Sequence, residues 1–219
     1  MPYRDGLAVQ EEAVAKRRAG ATGDRLLLLE HPPVITLGRN AREEHLLLGP
    51  AERQAQGLET IAVARGGDVT YHAPGQLVGY LVVDLAAGGK PDVSLFLRGI
   101  ESALIGALAA LQVPARRVPG RTGVFAGARP EASPDRKIAS IGIGLRGWVS
   151  WHGFALNVDN DVAAFDCIVP CGLQDIEMTS VARELSAGGP GSPASPLGSR
   201  ARRAVAQAFS SWFAPAAVL

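Results

Sequence analysis

Arg65-Gly66-Gly67-Asp68-Val69-Thr70-Tyr71-His72-Ala73-Pro74-Gly75-Gln76 joins two apolar runs, residues 60–64 and 77–85, that read as buried strands. The connector holds three glycines and a proline in twelve residues and reads as a loop. A polar, Gly-rich loop held between buried strands is a usual place for a site. It also means that these strands follow one another without a helix between them.

The rest of the chain keeps to that plan. Residues 7–18 read as a helix from propensity, with a weak apolar face, and Gly20 ends it. Residues 25–30 and 34–37 read as strands around the turn His31-Pro32-Pro33. Asp92 or Ser94 caps a helix running to about Leu111, with Leu97, Ile100, Leu104, Leu108 and Leu111 on one face. Short strands are expected at 115–118 and 122–126. Residues 137–145 and 149–158 form a hairpin around Arg146-Gly147-Trp148. Residues 163–173 read as an irregular buried loop, 178–185 as a short helix and 201–213 as a closing helix. Strands and helices do not alternate regularly, so the fold class is α+β, a mixed β-sheet with flanking helices, and not a doubly wound sheet. The expected organisation is a domain over 1–185, a Gly/Ser/Pro-rich linker over 186–199 and a C-terminal helix over 200–219 packed on the same domain.

Composition sets bounds. With 219 residues, 47% of them apolar and 20% charged, the chain can bury a sizeable core. A formal net charge of +1 gives no general attraction to nucleic acid or to an anionic membrane. No apolar run in the sequence reaches the ~20 residues of a membrane helix. Two cysteines, Cys167 and Cys171, make no disulfide framework and point to a reducing compartment. Without a signal-peptide pattern at the N-terminus, a cytoplasmic location is expected.

Three of the 22 basic residues are lysines, at 16, 90 and 137. Lys137 heads the strand-like run Lys137-Ile-Ala-Ser-Ile-Gly-Ile143, where arginine would serve as well for surface charge. A desolvated lysine can give up its proton, and a guanidinium cannot. Cys171 lies in Pro170-Cys171-Gly172, where proline and glycine set an unusual backbone and glycine leaves room for a substrate. The pair reads as a thiolate nucleophile with its base, because a free thiol titrates near ~8.5 and needs help at neutral pH. The alternatives are a buried structural cysteine and an edge-strand lysine that reaches water. Cys167 reads as packing. His72 and His152 allow a Cys–His pair or a zinc site, but no tight ligand spacing occurs, and pocket-shaping histidines are the preferred reading. Arg65-Gly66-Gly67 would suit a phosphate, although no Walker ending follows.

Taken together, Arg65 to Tyr80, Lys137-Ile-Ala-Ser-Ile-Gly142, His152-Gly-Phe-Ala-Leu-Asn-Val158 and Pro170-Cys-Gly-Leu173 resemble the signature blocks of the lipoyl(octanoyl) transferases. His31-Pro-Pro-Val-Ile-Thr-Leu-Gly38 and Thr179-Ser-Val-Ala-Arg-Glu-Leu185 fit the same pattern. The resemblance implies a fold shared with biotin and lipoate ligases. It makes Cys171 the acyl-thioester nucleophile and Lys137 its activating partner. It implies that Arg65, Gly66, Gly67, Asp68, Val69, Thr70, Tyr71, His72, Ser140, Ile141, Gly142, Gly153, Phe154 and Ala155 line the acyl channel. The implied donor is octanoyl-acyl carrier protein. The implied acceptors are lipoyl domains of 2-oxoacid dehydrogenases and the glycine cleavage H protein. No cofactor and no metal are implied. Ile141, Phe154 and Leu156 are the expected channel walls, and amides near Gly172 and residues 140–142 the expected oxyanion donors. Ala73 stands where the family has glycine, a methyl placed to narrow the channel or change the turn. Rival readings are an ATP-dependent lipoate or biotin ligase, an amidotransferase between carrier-like proteins, and a catalytically silent acyl-carrier binding module.

Overall fold

A computed structural model describes residues 1–127, 134–173, 175–187 and 196–212. Helix α1 (Tyr3–Arg18) precedes strands β1 (Arg25–Leu29) and β2 (Val34–Leu37). The short α2 (Pro50–Ala55) leads to β3 (Glu59–Ala62), β4 (Val69–His72) and β5 (Gln76–Val82). After α3 (Val93–Ala110) come β6 (Ala115–Val118), β7 (Arg121–Ala126), β8 (Asp135–Arg146) and β9 (Val149–Asn157). β10 (Ile176–Met178), α4 (Val181–Ala187) and α5 (Leu197–Phe209) complete the described elements.

The main sheet has the order β1-β5-β9-β8-β7-β6, all antiparallel, with β10 lying parallel against β8. A smaller sheet has the order β3-β2-β4. Every residue of β5 and β9 is buried, because both faces of the main sheet are covered. Alternation sorts their side chains. Leu77 and Leu81 join Ile100, Leu104, Leu108, Phe154, Leu156, Val205 and Phe209 in the principal core under α3 and α5. Val78, Tyr80 and Ala155 face the other way, with Leu27 and Leu29 beside them.

Local chemistry explains most boundaries. Asp92 caps α3 by accepting the Leu95 N–H at 2.9 Å. α3 is long and apolar enough to cross a membrane, yet it lies against the sheet and α5 as a core helix. The β8–β9 hairpin turns on Gly147 and Trp148, with φ of 57° and 65°. Two consecutive positive φ values match the two-residue turn that follows strand twist.

Four expectations change. The Gly-rich connector contains a strand, since Val69, Thr70 and Tyr71 are good strand formers and β4 pairs antiparallel with β2. The helix expected from 178 begins at Val181, because Ile176–Met178 is drawn into register with β8, Met178 opposite Lys137. α1 starts at Tyr3, and its buried stripe is Tyr3, Gly6, Gln10, Ala13 and Val14. That stripe has helical spacing but is small or polar, which is why the apolar face looked weak. α5 begins at Leu197, inside the segment read as linker, and buries Ala201, Val205 and Phe209. Residues 188–195 and Phe213 lie outside the described residues.

Candidate active site

β8 carries Lys137 into the interior, where only 2% of the residue is exposed. Its Nζ donates toward Cys171 Sγ at 3.3 Å and lies 5.7 Å from the centre of the Phe125 ring. Gly123 makes room for the stem, since a Cβ there would stand 2.8 Å from Lys137 Cε. Cys171 comes from a one-turn 3₁₀ segment, Pro170–Gly172, with left-handed backbone at Cys171 (φ 56°, ψ 19°). Such a conformation costs a non-glycine residue about 1–3 kcal/mol and persists where the surroundings enforce it. Here the Val169 N–H donates to His45 O at 2.9 Å, the Gly172 N–H to Val169 O at 3.0 Å and the Leu173 N–H to Pro170 O at 3.1 Å. The Gly172 amide is therefore spent on its own turn and is not an oxyanion donor in this arrangement. Ser140 Oγ lies 3.9 Å from Sγ, close enough to donate to an oxygen bound beside the sulfur.

A cleft of about 470 Å³ leads from Cys171 over the face of the main sheet opposite α3. Gly67, Asp68, Thr70, His72, Ser140, Ile141, Gly142, Gly153, Phe154 and Ala155 from the sequence reading border it, with Arg65. Alternation removes two others. Thr70 and His72 face the cleft, whereas Val69 and Tyr71 point into a separate cluster with Ile35, Phe165 and Ile168. The Gly66 N–H is taken by Ile143 O at 2.7 Å, and this residue does not border the cleft. Leu156 is not a channel wall, since it belongs to the principal core and does not border the cleft; Phe154 borders it, but its ring stacks on Phe209 at 5.5 Å within that core. Val78, Tyr80 and Ala155, with Gly142 and Gly153, form the sheet face of the cleft instead.

Arg65 is not a phosphate cradle. Its Nη2 donates to Thr36 O and Thr36 Oγ1, both at 2.9 Å, and its Nη1 to Gly66 O at 3.0 Å. The guanidinium ties the Gly-rich loop to β2. Beyond it, the cleft ends in a buried set of rings. His31 Nδ1 meets Met1 O at 2.8 Å, a pure acceptor, so Nδ1 carries the proton and Nε2 accepts from Tyr80 Oη at 2.6 Å. Tyr3 stacks on His72, whose Nδ1 donates to Gln76 Oε1 at 2.7 Å. Burial drives the pKa of His72 and of His152 down to about 3. Both rings are neutral and shape the cleft. No group of three His, Cys, Asp or Glu side chains is placed to hold a metal ion among the described residues.

A family model for the lipoyl protein ligase A/B catalytic domain matches residues 2–194. The chain belongs to the lipoyl protein ligase A/B catalytic domain family. It is 48% identical over 171 residues to an octanoyltransferase of Solibacter usitatus (strain Ellin6076), covering 78% of this chain and 74% of that protein. It is 46% identical over 184 residues to an octanoyltransferase of Myxococcus xanthus, covering 84% of this chain and about half (51%) of that longer protein. The fold matches a bipartite lipoate protein ligase from Thermoplasma acidophilum with a TM-score of 0.66 at 16% identity, covering 92% of this chain and 77% of that one. Ala73, expected to narrow the channel or change the turn, belongs to the cluster of Ile35, Val69 and Val162 and does not border the cleft. Cys167 does not border the cleft. Its thiol donates to Ala164 O at 3.1 Å, and burial raises its pKa. Four residues at the site were missed in the sequence. Tyr3, Val78 and Tyr80 follow from helical and strand periodicity once the layers are known, but His45 has no local signature.

Proposed function

We propose that this chain transfers an octanoyl group from octanoyl-acyl carrier protein to the acceptor lysine of lipoyl domains through a thioester on Cys171. Octanoyl transfer in lipoate attachment is its activity, and it is an acyltransferase. The observation that carries the thioester reading is the 3.3 Å contact between Lys137 Nζ and Cys171 Sγ at the end of an apolar-walled cleft.

Lys137 takes the thiol proton, and the thiolate attacks the donor thioester. The new C–S bond forms on Sγ as the bond to the pantetheine sulfur breaks, and Lys137 returns the proton to the departing thiol. One thioester replaces another, so the step needs no ATP. The acyl chain lies along Val78, Tyr80 and Ala155, where each buried methylene contributes about 0.8 kcal/mol. The acceptor amine then attacks the acyl-enzyme, Lys137 takes one of its protons, and the more stable amide drives the step. Ser140 Oγ donates to the carbonyl oxygen in both halves, a role supported by its 3.9 Å distance from Sγ. Both cysteines are free thiols, in keeping with work in a reducing cytoplasm.

Intact-protein mass spectrometry after mixing with octanoyl-acyl carrier protein tests the reading. One octanoyl adduct is expected, removed by hydroxylamine and absent from Cys171→Ser. An adduct that survives this substitution, or one that forms on Cys167, refutes the assignment. Product that appears only with ATP, magnesium and free octanoate favours the ligase reading instead.

A further inference from the structure

We infer that His45, oriented by Asp68, is the proton exit for the amide-forming half of the reaction. The inference rests on the thioester reading above and begins from its proton count. Cys171 and Lys137 share one exchangeable proton at rest, and the departing pantetheine thiol carries it away. The acyl-enzyme therefore lacks the proton that the pair exchanged. The incoming lysine, titrating near ~10.4, arrives as an ammonium with three hydrogens. The amide keeps one of them. Of the two that leave, one restores the Cys171–Lys137 pair, and the other has no place there.

Among the described residues, His45 borders the opening that reaches the sulfur from the outside. His45 closes the 3₁₀ turn Glu43–His45. Its carbonyl accepts from the Val169 N–H at 2.9 Å, and the Leu47 N–H donates to Cys167 O at 3.0 Å. These two bonds fasten the turn to the segment that leads into Cys171. His45 Nδ1 is 2.6 Å from Asp68 Oδ2, while Asp68 Oδ1 accepts the Val69 N–H at 2.7 Å. A carboxylate oxygen accepts here, so Nδ1 carries the hydrogen, and Nε2 is the position for a further proton.

A second opening, bordered by Asn40, Arg42, His45, Gly67, Asp68 and Gly172, also reaches Cys171. Gly67, Asp68 and Cys171 border the acyl cleft as well. The sulfur thus lies where the two spaces meet. Lys137 approaches it from the interior, and His45, its side chain 13% exposed, borders the outer opening. The contact is close: a Cβ on Gly172 would stand 3.0 Å from His45 Cε1 and 2.7 Å from Asp68 Oδ2. The charged groups facing the imidazole are Asp68, the Glu44 carboxylate at 4.0 Å from Nε2, and Arg42 and Cys171 across the opening. The His45 side chain is more exposed than the buried amine, so a proton taken on Nε2 has the shorter way to solvent.

The two half-reactions are to be timed separately in wild type, His45→Gln and Asp68→Asn, by mass spectrometry with octanoyl-acyl carrier protein and then a lipoyl domain. His45→Gln is expected to acquire the Cys171 adduct at a rate within about twofold of wild type, and to discharge it ~10²-fold more slowly near neutral pH. The deficit should narrow as pH rises and on adding free imidazole. Asp68→Asn, which keeps the ring and removes its orienting charge, should show the same selective defect in smaller degree. Discharge at the wild-type rate in His45→Gln overturns the inference. So does an equal loss in both halves that imidazole does not rescue. If wild type forms no adduct, the thioester reading itself fails; a normal adduct with normal discharge in His45→Gln removes this inference alone.

Discussion

Replacing Lys137 with methionine separates the amine's chemistry from its packing. Methionine has the same unbranched reach, so it keeps the stem against Phe125 and the space above Gly123, where Cε now sits 2.8 Å from a hypothetical Cβ. What disappears is a nitrogen 3.3 Å from Sγ. On the stability side, the substitution loses one hydrogen bond, a net ~0.5–1.5 kcal/mol, and relieves the desolvation of a group 2% exposed. Burying a polar amine also carries a desolvation cost of about 1–3 kcal/mol, so the two effects nearly cancel and Lys137→Met should lie within about 1–2 kcal/mol of wild type. On the catalytic side, losing a positioned proton carrier costs ~10²–10⁴-fold. That corresponds to about 2.7–5.4 kcal/mol of barrier at 1.36 kcal/mol per decade. Urea denaturation reads the first quantity and steady-state octanoyl transfer to a lipoyl domain reads the second. Transfer within ~10-fold of wild type would refute the proton-carrier role, because that is smaller than the least effect general acid–base catalysis gives. A loss of stability above ~3 kcal/mol would make the amine a structural element. Lys137→Arg is the companion variant: it retains positive charge, cannot release a proton, and crowds a closely packed site. It should lose transfer to a similar degree and also ~1–3 kcal/mol of stability.

Two further outcomes are expected. Ala155→Leu adds three carbons to the sheet face of the cleft beside Val78 and Tyr80. Displacing about three methylenes of the acyl chain forfeits ~2.4 kcal/mol at ~0.8 each, about a 60-fold loss for octanoyl over pentanoyl thioesters, and an unchanged preference in a competition assay would place the chain elsewhere. His72 and His152 fall from 6.5 to about 3 through burial. They stay neutral in the fold and charge in the unfolded chain, so stability is full above pH ~6.5 and is lost as pH falls toward ~3, by up to ~1.4 kcal/mol per unit for each. Urea midpoints that stay level from pH 7 to 4.5 would sink this account.

What the sequence showed and what it hid follow one physical division. Where burial is apolar and the signal is local, the reading was sound. Asp92 starts α3, the stripe from Ile100 to Leu111 points inward, and Gly147-Trp148 turns the hairpin, all from cap, period and turn chemistry. Near the cleft the same rules mislead, because buried positions there are held by groups that a hydrophobicity pattern scores as surface. Gln10 is fully buried and accepts the His152 N–H at 2.8 Å; Glu101 is fully buried and accepts the Gly123 N–H at 3.1 Å beside the Lys137 stem. The face of β9 was misassigned for a related reason. Period two divides Phe154 from Ala155, but which set meets the helices depends on α5, which arrives more than forty residues later. Lys137 stood out through its rarity among arginines, while its meeting with Cys171 is set by the register of β8 and the turn at Pro170–Gly172, which no local stretch encodes. His45 is the limiting case. It is 23 residues from Asp68 in a stretch without a motif, and its place beside the Cys171 turn is set by its bond to Asp68 and by the backbone bonds Val169–His45 and Leu47–Cys167. Residues that violate the local pattern therefore gather where the chain does its chemistry, as expected when a site is bought at some cost to foldability.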